Sequence, residues 1–245
     1  MDRAVCSNIT AMVQSIVAGV AEHDNLVADQ CALLMQAAER LVSRLGVEGK
    51  RDRNLLVETF HKGERMATLN RNLDVLGRCP PLERHEWLRA VVALDSLTGR
   101  IDDAIGEAGL MGVEPDQALQ EMALLVHSAA ESLQQGFAKL VAHASGVKQE
   151  AAAVNGLVEA IEMRYLRSLA VLFSMEKWSR GVTPEEVLRM IKRWMIYRCL
   201  FDVKQHLATG VETLLSLAAM RESNRGERQR SRITTRNLLS SGEGQ

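Results

Sequence analysis

Aromatic side chains are scarce in this chain: three Trp, two Tyr and four Phe among 245 residues. Strands draw on aromatic and β-branched residues, whereas the Ala, Leu, Met, Glu, Gln and Arg that abound here are helix formers, so the composition points to an all-α protein. Proline and glycine are also few, at four and seventeen, which excludes collagenous, Pro-rich and mostly disordered chains. Four scattered cysteines, Cys6, Cys31, Cys79 and Cys199, form no Cys-x-x-Cys and no Cys/His pairing at zinc spacing, so reduced thiols are the simplest reading. An excess of one charge is missing too. Thirty basic against 31 acidic residues leave −1, so no global field attracts nucleic acid, and no nucleic-acid partner is expected. No apolar run is long enough to cross a membrane either. The charge-free stretch 4–21 is broken by Ser7, Asn8, Thr10, Gln14 and Ser15, and Asp2 and Gln14 spoil its likeness to a signal peptide.

What is present is helical periodicity. From residue 8 onward apolar residues recur every three or four positions, with no full-length alternation of period two. A short first helix carries Ile9, Met12, Ile16 and Val20. Asp24 then caps a second with Val27, Cys31, Leu34, Ala38, Leu41 and Leu45, closed by Gly46. A third, about 52–77, aligns Leu56, Phe60, Gly63, Met66, Leu69, Leu73 and Leu76 as its inward face. A fourth begins at Pro81 and runs through Trp87, Val91, Leu94, Leu97, Ile101 and Ile105 to Gly109 or Gly112. Glu114-Pro115 reads as the central joint. Beyond it Leu119, Met122, Val126, Ala129, Leu133, Gly136 and Leu140 form a heptad-like seam, and Val154, Val158, Ile161, Tyr165, Leu169 and Leu172 mark a sixth helix.

Thr183-Pro-Glu-Glu186 combines an N-cap, a first-turn proline and a capping-box glutamate. The helix it opens runs to about Ser223 with a strict 4,3 seam through Ile196, Leu200, Val203, Leu207, Gly210, Leu214 and Leu217. Arginines 221, 225, 228, 230, 232 and 236 against Glu222, Glu227 and Glu243 then make a tail of net +3 that is expected to be disordered. Three long helices on each side of Glu114-Pro115, the Pro-led one third in both, predict two tandem antiparallel three-helix bundles, residues 1–112 and 113–223, with the tail at 224–245.

Chemistry has little foothold. There is no glycine-rich phosphate loop, nucleophile elbow or His-Glu-x-x-His helix, and no enzyme activity is expected. Glu58-x-x-His61 has the spacing of a di-iron helix, but the site needs a second copy and further glutamates, and no other His has Glu three residues before it. Met190 and Met195 read as core filler, and Lys192, Arg193 and Arg198 as a solvated face.

Phe60-His-Lys-Gly-Glu64, Pro81-Leu-Glu-Arg-His-Glu-Trp87, Leu94-Asp95 and, in the second half, Ile161 to Phe173 with Tyr197 to Leu217 together resemble the PhoU-like phosphate transport regulators. Within that family the chain looks most similar to the branch that accompanies Pit-type phosphate permeases, over roughly residues 25–220. The resemblance implies a cytoplasmic accessory protein with a permease as partner, open to homodimer formation and to weak contact of the tail with the inner membrane surface. It also implies Glu/Asp-x-x-x-Asp pairs that hold iron or zinc. Here those pairs fall on Phe60/Glu64, Asp95/Gly99, Val158/Glu162 and Phe201/Gln205. Only Glu64, Asp95 and Glu162 remain as metal ligands, each without its i,i+4 partner, so the site is expected to have degenerated and no cofactor is expected. Left without a cation, carboxylates crowded on one bundle face would repel one another. The alternatives are an iron protein in which Glu58, His61, Glu64, Asp95 and Glu162 converge, and a general helical adaptor.

Overall fold

The computed structural model describes residues 26–46, 55–77, 81–142, 145–174 and 181–240, with side chains except at 55–60, 81–83 and 224–240. The expected helix around Ile9 to Val20 and the Asp24 cap lie outside these residues. The protein is all-helical, and the described residues contain no strand. Among the described residues six helices follow one another: α1 over 26–45, α2 Leu55–Leu76, α3 Pro81–Met111, α4 Gln117–Val141, α5 Val147–Leu172 and α6 Pro184–Ser240. None is long and apolar enough to cross a membrane among the described residues.

Local chemistry sets most boundaries. Gly112, at φ +61°, follows the end of α3, where a residue without Cβ enters the left-handed region at no cost. Asp116 Oδ1 then accepts a hydrogen bond from Leu119 N at 2.9 Å and caps α4. The Thr183 capping box forms in both directions: Glu186 N donates to Thr183 Oγ1 at 3.3 Å, and Thr183 N donates to Glu186 Oε2 at 2.9 Å. The hydrogen bond from Thr183 N, followed by one from the Thr183 side chain, holds the Glu186 carboxyl below its ordinary pKa.

α6 is the spine. It packs against α3, α4 and α5, so its seam meets a helix from the first half of the chain as well as two from the second. Ser216 Oγ donates to Glu86 Oε2 at 2.7 Å, Arg100 Nε donates to His206 Nε2 at 3.3 Å, and the Cys199 thiol donates to Glu107 Oε2 at 3.0 Å. These contacts fix α3 and α6 as antiparallel neighbours. Trp87, Leu94 and Leu97 of α3, Met122 and Leu133 of α4, Ile161 of α5 and Leu200, Leu207 and Leu214 of α6 belong to one continuous core that spans the Glu114-Pro115 joint. Two glycines let α4 and α6 approach. A Cβ at Gly136 would lie 2.5 Å from Leu214 Cδ2, and one at Gly210 would lie 2.8 Å from Leu133 Cδ2.

Several sequence expectations need correction. α2 turns His61, Arg65, Thr68, Asn72 and Leu76 toward its neighbours and leaves Met66 and Leu73 exposed. Its inward face is thus largely polar, because α1 and α3 supply ion-pair and hydrogen-bond partners that its own periodicity cannot reveal. Lys192 and Arg193 are not simply solvated: Lys192 Nζ donates to Met111 O at 2.9 Å, and Arg193 Nε stands 3.7 Å from Asp116. Met195 is exposed rather than core. The α6 backbone also stays helical through 224–240, where the tail's composition predicts disorder. Arg, Gln and Glu are good helix formers, and extending a helix already nucleated by packing costs little.

Candidate functional site

The three retained carboxylates do not converge. Each faces a base supplied by the chain. Glu64 Oε2 lies 3.9 Å from His61 Nδ1 on the exposed side of α2. Asp95 Oδ1 lies 3.3 Å from Arg65 Nε, and Glu162 Oε2 accepts a hydrogen bond from Lys204 Nζ at 2.7 Å. The crowding expected of them is therefore absent: Asp95 and Glu162 each stand in an ion pair with a base of the chain, and Glu64 faces the His61 imidazole. Among the described residues no group of three or more His, Cys, Asp or Glu side chains could hold one metal ion. The Glu58 side chain lies outside the described residues.

The best-built of these pairs joins three helices. Arg65 of α2 reaches α3 between Asp95 and Asp102, the latter 3.7 Å from Nη1, and Arg40 of α1 donates from Nη2 to Asp102 Oδ1 at 2.6 Å. Room for the guanidinium comes from Gly99: a Cβ there would stand 2.5 Å from Arg65 Nη1. At the position where the family resemblance calls for the second carboxylate of a metal pair, this chain has no side chain, and a cationic one fills the space. Arg65 Nε and Asp95 Oδ1 are buried without a hydrogen-bond partner of proper geometry, so their contact is Coulombic rather than directional. Burial raises the pKa of Asp95, opposed by Arg65, and raises that of Asp102, opposed by Arg40, Arg65 and His61. Two arginines against two aspartates close the charge balance in a partly buried place.

The second half repeats the device with other residues. Phe201, where the resemblance places a carboxylate, stacks on Tyr165 with ring centroids 4.4 Å apart. Lys204 lies over the Phe201 ring at 4.4 Å from its centroid while it binds Glu162, a cation held by an aromatic face and a carboxylate together. Val158 is partly buried against the core. Both bases were visible in sequence as neighbours of the vacant or retained positions, in Glu64-Arg65 and Lys204-Gln205. Their pairing across helices was not.

Other ionisable groups are tied into the scaffold. Tyr197 OH donates to Asp116 Oδ2 at 2.7 Å, and burial, followed by this bond, raises the Tyr197 pKa. Burial pushes the thiols of Cys31 and Cys199 up to about 12, so both stay protonated at neutral pH and are poor nucleophiles. The Arg164 guanidinium pairs with Glu121 at 2.5 Å. No protein-family model matches the chain, and no curated protein is significantly similar to it.

Proposed function

We propose that the chain is a cytoplasmic, metal-independent accessory protein of PhoU-like type, which modulates inorganic phosphate uptake through contact with a Pit-type permease and catalyses no reaction. The observation that carries the metal-independent part is the pairing of Asp95 with Arg65 over Gly99 and of Glu162 with Lys204. A divalent cation at either place would have to displace an internal base whose charge already meets the carboxylate. The permease part rests on the resemblance of helix order and short signatures.

On this reading the cluster positions have become structural links between helices, and the protein acts by surface recognition. Crosslinking in cells followed by identification of the recovered membrane protein tests it. Recovery of a phosphate permease is the expected result, and recovery of unrelated proteins alone contradicts it.

A further inference from the structure

Two carboxamides stand where α1 and α2 would ordinarily bury apolar side chains. Along α1 the buried residues Leu26, Leu34, Ala37 and Leu41 form one stripe at about 100° per residue, and Gln30, fully buried, lies at its centre. On α2 Asn72, 1% exposed, holds the corresponding place between Thr68 and Leu76. A buried carboxamide costs free energy unless its donors and acceptors are paired. Asn72 Nδ2 donates to Leu26 O at 3.2 Å. Asn72 Oδ1, Gln30 Oε1 and Gln30 Nε2, however, have no hydrogen-bond partner within the chain.

These three atoms share one place in the fold. Gln30 follows Leu26 by about one helical turn, and a helical side chain leans back over the turn before its own Cα. The Gln30 carboxamide therefore returns toward the carbonyl that Asn72 holds. Asp29 and Arg71, the residues just before each, meet at 3.7 Å on the exposed rim of the same contact. Toward the other ends of the two helices Arg40 and Arg65 share Asp102, so α1 and α2 run antiparallel and Thr68 comes level with Gln30. Its Oγ1 already accepts from Arg71 Nη2 at 3.1 Å.

The chemistry of the three atoms selects what can bind them. One is a donor and two are acceptors. A direct bond from Gln30 Nε2 to Asn72 Oδ1 would still strand Gln30 Oε1. An anion would face two carbonyl oxygens, and a cation would find no carboxylate to offset its desolvation, because Asp29 is exposed and paired with Arg71. Water offers two O–H donors for the two oxygens and a lone pair for Nε2, about three hydrogen bonds, the usual number for a buried water. We infer that a single ordered water is bound between α1 and α2, held by Gln30 Oε1, Gln30 Nε2 and Asn72 Oδ1. It also fixes the register of the two helices. A slip of one turn would bring Leu34 or Leu76 to this level and leave the carboxamides unpaired.

Water–protein NOE spectroscopy of the isotopically labelled full chain tests this. The side-chain amide hydrogens of Gln30 and Asn72 are expected to give negative NOEs to the water resonance, the sign of a water that stays bound for longer than the molecule takes to tumble. Those of Asn155, exposed on α5, are expected to show only the contacts of surface water. Gln30→Met is expected to abolish the water cross-peak at Asn72 with helicity kept. A wild type without water cross-peaks at Gln30 and Asn72 overturns the proposal, as does an undiminished Asn72 cross-peak in a folded Gln30→Met variant. Should that variant lose helicity, a crystal structure of the wild type takes its place. Water density within hydrogen-bond distance of the three atoms supports the site, and a direct Gln30–Asn72 bond with no density beside it overturns it.

Discussion

Replacing Arg65 by Met keeps the length of the side chain and removes the charge that stands between Asp95 and Asp102. The side chains are largely enclosed, Arg65 being 19% exposed and the two aspartates 15% and 11%, so solvent screens the loss only in part. Breaking a buried pair by deleting one partner costs about 3–5 kcal/mol. Arg40 still holds Asp102 at 2.6 Å, and this together with the residual exposure reduces the expected loss to about 2–3 kcal/mol at pH 7. The pH dependence is diagnostic. Burial already raises both aspartate pKa values above the ordinary one, and Arg65 opposes that rise; without it they rise further. A carboxyl with a raised pKa in the folded state favours folding below its unfolded value of about 3.9. That contribution is lost as pH climbs through the folded value. The variant should therefore be penalised fully at pH 7 and progressively less on acidification toward pH 4, where the aspartates protonate. Urea unfolding of both proteins, followed by far-UV circular dichroism at pH 7 and pH 4.5, measures the difference. A loss below about 0.5 kcal/mol, or one equal at the two pH values, would refute the reasoning that Arg65 neutralises these carboxylates.

Leu207, fully buried in the α6 seam, is expected to lose several kcal/mol on replacement by Asp, about what an unpaired buried charge costs; a melting point within a degree or two of the wild type would show the seam wrongly placed. The glycines make a contrasting pair. Gly156→Ala on the exposed side of α5, where a Cβ meets nothing within 4 Å, should stabilise by about 0.5–1 kcal/mol. Gly136→Ala should destabilise, because its Cβ would press on Leu214 and overpacking of about 1–3 kcal/mol outweighs the helix gain. For the Arg-rich tail, chains ending at Met220 and at Gln245 can be compared by sedimentation with anionic vesicles at low salt. Stronger pelleting of the longer chain is expected if the tail gives weak electrostatic contact, and equal pelleting denies it that role.

Features written in neighbouring residues were legible beforehand. The Thr183 capping box, the glycine after α3 and the 4,3 seam of α6 each depend on spacings within a turn or two. The identity of a seam's partner does not, and so the packing of α6 on α3 was not evident from a pattern that suits any apolar neighbour. α2 shows the same limit more sharply. Its leucines and methionines spread around the helix, and what orients it is a set of polar links: Arg65 to Asp95 and Asp102, and Asn72 Nδ2 donating to Leu26 O at 3.2 Å. At the candidate site the vacancies were readable as missing carboxylates. Their replacement by Arg65 and Lys204 was not, because the two bases reach across from other helices.

Phosphate uptake tests the functional claim most directly. Cells lacking this chain, cells complemented with the wild type and cells complemented with a Glu64→Gln/Asp95→Asn/Glu162→Gln variant are compared for initial rates of labelled phosphate entry, with chain abundance checked in each. A metal-independent regulator predicts a changed rate in the deletion strain and restoration by both complementing chains. An unchanged rate on deletion would contradict the role in phosphate uptake, and restoration by the wild type alone at equal abundance would contradict metal independence.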